Sequence, residues 1–299
     1  MDPITHSLAG IAVKQAFFNK KNIALTLAII ASILPDIDYI TKIWGTDVLL
    51  RYHRGITHGF LALVLISLIL AFIFKNKIGF IKAFFIAFVC YGLHILFDLS
   101  NQYGTKALSP LDWNSYGFEI NFIIEPWVSL PLLISFIAGL INKKKASLIA
   151  LLSLLLVTSV FVSRYFFQQE ARALLKKNID ANIYKVYPLP NDFLTWSFLT
   201  KSSNEVAIGI VDIFSKRVVK VELFKLNFTD PMIELSRKNK VIENFLYFAS
   251  FPYAEVIRED KRIIVIWRDL AYAYMAGNRF SAKVIYDLNG KVIDAGFRI

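Results

Sequence analysis

The 299-residue chain has one cysteine and only 19% charged residues, against 56% hydrophobic and 15% aromatic. Cys90 stands alone, so no intrachain disulfide forms and cysteine use does not report the compartment. Set in the apolar run 83–97, it reads as a buried small hydrophobe. So little charge in so hydrophobic a chain excludes a disordered, fibrous or disulfide-stapled protein. Internal repeats and low-complexity tracts are missing. So are a long basic block, an aromatic-interleaved basic motif and finger spacing, although the formal charge is +11. That charge is spread over both halves: residues 1–167 carry 14 Lys and Arg against 8 Asp and Glu, and residues 168–299 carry 20 against 15. Charge so distributed attracts non-specifically without making a site, and no nucleic-acid partner is expected. The N-terminus opens Met1-Asp2-Pro3, without the basic n-region or small-residue cleavage site of a signal peptide.

What the chain does have is long apolar runs. Crossing a hydrocarbon core takes about 20 such residues. Residues 56–74 and 79–97 meet that length; 123–141 does so with Pro126 and Pro131, which spans tolerate when neighbours satisfy the freed backbone groups; and 146–167 is a fourth. The shorter runs 4–18 and 23–34, parted by Asn19-Lys20-Lys21-Asn22, predict a helical hairpin. From Gln168 polar residues increase, and 205–214, 218–226, 262–267 and 282–287 alternate as strands do. Asn289-Gly290 between two β-rich runs is a hairpin signal. The expected fold is an α-helical polytopic membrane domain of about five to six helices over residues 1–167, carrying a metal site, followed by a mostly β soluble domain over 168–299.

All four histidines, His6, His53, His58 and His94, fall in the membrane half. Ionisable groups near spans are functional by default. Pro35-Asp36-Ile37-Asp38 closes the second apolar segment, His53-Arg54-Gly55-Ile56-Thr57-His58 opens the third, His94 and Asp98 close the fourth, and Glu125-Pro126 opens the fifth. Threaded back and forth, these helix ends fall on one side of the bundle, as does His6. His94 and Asp98 are also i, i+4 neighbours on one helical face. Imidazole plus carboxylate is a ligand mix that divalent transition metals accept, and a cation offsets the repulsion among Asp36, Asp38, Asp98 and Glu125. Such a centre polarises an ester or phosphoryl oxygen and brings the pKa of bound water toward neutrality. His6, Asp36, His58, His94 and Asp98 are therefore the candidate ligands, with zinc first and manganese or iron as alternatives. Asp38 is a ligand or base; His53 is a substrate-side acid, and Arg54 a bidentate clamp for a phosphate or carboxylate group. Asp112 and Glu119 read as solvated loop charges, and Tyr103, Trp113, Tyr116 and Trp127 as interface anchors.

Eight lysines (Lys20, Lys21, Lys75, Lys77, Lys82, Lys143, Lys144 and Lys145) lie on the side opposite the motifs, against Lys42, Arg51, Arg54 and Lys106 on the motif side. The excess of positive charge marks the cytoplasmic face, so the site and the β domain are expected on the extracytoplasmic side of the cytoplasmic membrane.

Thr5-His6, Pro35-Asp36-Ile37-Asp38, the His53–His58 motif, His94-x-x-x-Asp98 and Asn101-Gln102-Tyr103-Gly104-Thr105 follow in fixed order. In this the chain resembles the YdjM-like family, described as inner-membrane, metal-dependent hydrolases and also called LexA-binding. The resemblance covers roughly residues 1–130. Pro188-Leu189-Pro190-Asn191 and Trp196 look like the longer members. The family implies a hydrolase, while the LexA label implies a cytoplasmic partner, on the face opposite to that given by the charge count. The leading expectation is a membrane-bound metal-dependent hydrolase of an ester or phosphoester, with membrane lipids around it and a lipid or lipid-linked substrate. The alternative is a non-catalytic membrane regulator with a structural metal and a partner-binding β domain. An ion pathway ranks last, because the charges cluster at helix ends and not at mid-membrane depth.

Overall fold

The computed structural model describes residues 1–18, 22–274 and 280–298. Asn19, Lys20 and Lys21 of the basic turn lie outside the described residues. The chain divides into two compact units: Met1–Asp38, Arg54–Gln169 and Pro188–Phe193 form the first, and Tyr39–His53, Glu170–Tyr187 and Leu194–Ile299 the second.

In the first unit, α1 (Pro3–Phe17) starts where the Asp2 carboxylate accepts from the Ile4 and Thr5 amides, which have no partners within the helix. α2 (Asn22–Ile33) gives way to a 3-10 helix, Leu34–Trp44. Pro35 accounts for the change, because it lacks an N–H and disfavours the α conformation at Leu34. Gly10 lets α1 meet α2 closely: a Cβ there would lie 2.9 Å from the Ala28 carbonyl oxygen and closer still to Ser32. After α3 (Thr46–Tyr52), which belongs to the second unit, α4 (Phe60–Ile78) and α5 (Phe80–Leu99) join at Gly79, whose φ of +93° suits glycine. α6 (Pro126–Ile141) and the long α7 (Ala146–Asn178) follow.

Small residues let these helices pack: Ala24, Ala28, Ala31, Ala71, Ala83, Ala87 and Cys90 are buried with Leu27 and Ile86 in one cluster. Ala9, Ala12, Phe97, Leu132 and Val157 lie in another. Large apolar side chains such as Ile69, Phe72, Ile134, Leu152 and Leu155 point outward instead. That inversion suits hydrocarbon, where packing of small residues holds helices together. Among the described residues, Ile23–Trp44, Phe60–Ile78, Phe80–Leu99 and Ala146–Asn178 are long and apolar enough to cross a membrane, with Pro126–Ile141 shorter.

The second unit carries two four-stranded sheets. β1 (Ile183–Pro188), β2 (Thr195–Lys201), β3 (Glu205–Asp212) and β4 (Arg217–Lys225) lie in that order. After α8 (Pro231–Arg237) and α9 (Lys240–Phe248) comes an antiparallel meander, β5 (Pro252–Glu259), β6 (Arg262–Asp269), β7 (Ser281–Tyr286) and β8 (Val292–Arg298). The Asn289-Gly290 signal turns β7 into β8, with Gly290 at φ +80° and Asp287 capping the Asn289 and Lys291 amides. Alternate residues Val265 and Trp267 on β6 and Ala282, Val284 and Tyr286 on β7 are buried with Ile233, Ile242 and Phe245 of the two helices. The half expected to be mostly β thus also holds two helices. Their starts are marked by the capping residues Asp230 and Asn239.

The segment Tyr39–His53 belongs to this unit. Arg51 donates to Glu243 (3.0 Å) and Asn244 (3.1 Å) of α9, and the Asn244 amide donates to Asp47 (2.7 Å). Asp269 is the unit's polar keystone: fully buried, its carboxylate accepts from the Ser250, Phe251 and Ala271 amides. Burial pushes its pKa above the usual range although the three N–H groups pull it down. Asp269→Ala leaves the Ser250, Phe251 and Ala271 amides without their acceptor and should destabilise the second unit by about 2–4 kcal/mol. Hydrogen exchange at Ser250 and Phe251 in the purified protein reads this directly; unchanged protection there would contradict it.

Candidate metal centre

Three helix ends supply the cluster. Asp36 comes from the 3-10 helix after α2, His58 from a short 3-10 turn, Ile56–His58, before α4, and His94 with Asp98 from the last turns of α5. Donor atoms of these four residues lie within 4.8 Å of one another. His58 Nε2 is 3.1 Å from His94 Nε2, 3.6 Å from Asp36 Oδ1 and 3.3 Å from Asp98 Oδ2. His94 Nε2 is 3.5 Å from both Asp36 Oδ1 and Asp98 Oδ2. Four ligands at bond lengths of about 2.0–2.1 Å around a tetrahedral ion stand about 3.3–3.4 Å apart, which falls within the observed spread. Asp98 Oδ2 is buried with no hydrogen-bond donor, as befits an oxygen that faces a cation. The donor set therefore fits a divalent ion.

The outer nitrogens of both rings are engaged, which sets their orientation. His94 Nδ1 donates to the Ser32 carbonyl at 2.6 Å. That bond turns the Nε2 lone pair toward the cluster. His58 Nδ1 lies 3.0 Å from the Thr57 hydroxyl and 3.5 Å from Asp38 Oδ2, while Thr57 donates to Asp38 at 2.7 Å. Asp38 also accepts from the Arg54 amide (3.0 Å). Asp38 therefore stands behind His58, on the side away from His94.

Arg54 is 5% exposed and takes a left-handed backbone, φ +57°. A non-glycine residue adopts that conformation at a cost of about 1–2 kcal/mol, a strain that clusters at functional sites. Its Nη2 donates to Asp98 Oδ1 (2.9 Å) and its Nη1 to Asn101 Oδ1 (2.7 Å), with the Tyr103 ring 4.9 Å away under the guanidinium. Tyr103, expected at the interface, is thus a support for Arg54. His6 stacks on His94 with ring centroids 3.7 Å apart and sets Nε2 3.3 Å from Asp98 Oδ1, which the Met1 amine also meets. Asp98 accordingly turns one oxygen to the cluster and the other to Arg54 and His6. His53 belongs to the second unit, edge-on to Tyr39 at 4.5 Å.

Glu125 departs from the expectation of a further acid sharing the cluster's charge. It is buried in an ion pair with Arg164 of α7 at 2.7 Å. Arg164 and Gln168 also donate to the Ile120, Phe118 and Glu119 carbonyls, which ties α7 to the loop after α5. A lone arginine in the apolar run 146–167 is the signal that could have found this pairing. Ser32, which acts through its carbonyl, leaves no such signal.

The YdjM inner membrane protein family matches residues 1–170, a stretch that holds every residue of the cluster. The YfhP C-terminal alpha/beta plait domain matches residues 231–297, from α8 into β8. A Bacillus subtilis (strain 168) protein described as "Uncharacterized protein YfhP" is 28% identical over 142 residues, 43% of each chain, so the match spans less than half of that relative's length. No solved structure matches.

The cluster predicts about one divalent ion per chain after purification in detergent. His94→Ala and Asp98→Ala should each lower occupancy by 10-fold or more, an effect comparable to or larger than that of removing an outer-shell partner. Elemental analysis checks this, and full occupancy in both variants would contradict it.

Proposed function

The chain belongs to the YdjM inner membrane protein family, and from this we propose that it is a membrane-bound metal-dependent hydrolase of an ester or phosphoester, acting on a lipid or lipid-linked substrate. The observation that carries this reading is the set of two imidazoles and two carboxylates at tetrahedral spacing, with one carboxylate gripped from behind by an arginine. Asp36, His58, His94 and Asp98 hold the ion. Zinc suits that donor mix and spacing first, ahead of manganese or iron. Bound there, the ion supplies Lewis-acid polarisation of the scissile group and acidifies water.

The chain's own residues do the rest. Asp36, the most exposed of the four, borders the side open to substrate. Asp38, linked to His58 through Thr57, is the proton acceptor that keeps the His58 ring oriented and basic. Arg54 fixes Asp98 and offers its remaining donor capacity to an anionic substrate group. His6 buttresses His94 and is a fifth candidate ligand. His53 is the candidate acid on the substrate side. The lysine excess on the opposite loops supports an extracytoplasmic site and β domain.

A second reading is favoured by one feature: four protein ligands close a tetrahedron, as in structural sites, whereas catalytic zinc keeps a position open. On that reading the protein is a membrane regulator whose second unit binds a partner. Assays separate the two. Metal-loaded protein should hydrolyse at least one member of a panel of phosphodiesters, phosphomonoesters and carboxylic esters; Asp98→Ala should abolish turnover, and Asp38→Asn should lower kcat about 10²-fold. Full metal without turnover on any substrate would overturn the hydrolase in favour of the regulator. A reporter fused after Ile299 should be active only outside the cytoplasm, and a cytoplasmic signal would invert the topology.

A further inference from the structure

Around Arg54 the fold gathers more hydrogen-bond donors than its own acceptors can satisfy. Asn101, fully buried, uses its Oδ1 to accept from Arg54 and from the Tyr103 amide, so its Nδ2 is turned elsewhere and has no partner. Asn121, bridged to Asn101 through the backbone and equally buried, has neither side-chain atom paired. The Thr105 hydroxyl is buried and unpaired, and so is Arg54 Nε. Two glycines draw these arms together. Gly104 takes φ +70°, and a Cβ on Gly117 would lie 3.0 Å from the Asn101 carbonyl oxygen. Thr105 pairs with Tyr116 through both backbone bonds, and the Lys106 amide donates to the Arg54 carbonyl. The unpaired groups thus belong to one hydrogen-bonded patch that begins at Asp98, a member of the metal cluster.

An unpaired buried polar group costs about 1–3 kcal/mol, and native proteins keep few of them. Among these four residues the unpaired atoms are mostly donors: Arg54 Nε, Asn101 Nδ2, Asn121 Nδ2 and the Thr105 hydroxyl, against the single acceptor Asn121 Oδ1. That excess calls for an acceptor-rich ligand, and the one carboxylate in the patch, Asp98, is already held by Arg54 and His6 through its Oδ1. A carboxylate presents two coplanar oxygens; a phosphoryl group presents three or more in a tetrahedral array, which matches donors arriving from two chain segments and from Arg54.

We propose that Arg54, Asn101, Thr105 and Asn121 form a phosphoryl-binding subsite adjoining the metal cluster, which makes the substrate a phosphoester. The subsite rests on the hydrolase reading for its role in turnover but not for its ability to bind. The phosphoryl group can come from a phospholipid headgroup or from a soluble phosphate compound.

The test uses the full-length metal-loaded protein in detergent, with inorganic phosphate and phosphatidic acid vesicles as probes, followed by calorimetry and thermal unfolding. Wild type should bind inorganic phosphate and gain thermal stability. Thr105→Val, which removes only the hydroxyl, and Asn121→Asp, which places a negative charge against the anion, should each weaken binding about 10-fold or more at unchanged metal content. Thr105→Ser should bind as wild type does. Tighter binding of phosphatidic acid vesicles than of inorganic phosphate identifies a lipid source, and the reverse a soluble one; both support the subsite. Failure of wild type to bind either probe, or wild-type affinity in both Thr105→Val and Asn121→Asp, overturns it. Phosphate binding without turnover would keep the subsite and count against the hydrolase. Turnover of a carboxylic ester without phosphate binding would keep the hydrolase and overturn the subsite.

Discussion

Two imidazole nitrogens 3.1 Å apart, walled in by Asp36 and Asp98, form the buried polar cluster on which the first unit converges. Much of the first unit serves to hold that arrangement. Pro35 turns α2 into the 3-10 helix that presents Asp36 and Asp38. Gly10 lets α1 approach Ser32, whose carbonyl then fixes His94. The strained backbone of Arg54 brings one residue to bear on Asp38 through its amide and on Asp98 through its guanidinium. Each of these devices costs stability locally, and the cluster gives them a common purpose.

The second unit is tied to this arrangement by chain continuity. Tyr39–His53 leaves the first unit directly after Asp38 and returns to it directly at Arg54, and between those points α3 is gripped by α9 through Arg51, Asp47, Glu243 and Asn244. The residues that flank this segment in the chain, Asp38 and Arg54, are those that contact His58 and Asp98 in the first unit.

Much of this was legible in the sequence, for physical reasons. Lipid-facing helices need long apolar runs and half-buried strands need alternation, so 56–74, 79–97 and 146–167 and the strands β3, β4, β6 and β7 announce themselves. Convergence of Asp36, His58, His94 and Asp98 followed from the alternation of helix ends. What could not be read depends on tertiary contacts alone: the docking of α3 on α9, the carbonyl of Ser32 and the stacking of His6 on His94. Asn121 was invisible as well, since an asparagine in a polar loop looks solvated until the fold buries it.

X-ray absorption spectroscopy of the ion retained by the purified protein reads the ligand set of this cluster. A four-coordinate shell of nitrogen and oxygen at about 2.0–2.1 Å with two imidazoles in it is the expected result. A protein that takes up no divalent ion, or one whose ion shows no imidazole in its shell, would contradict it.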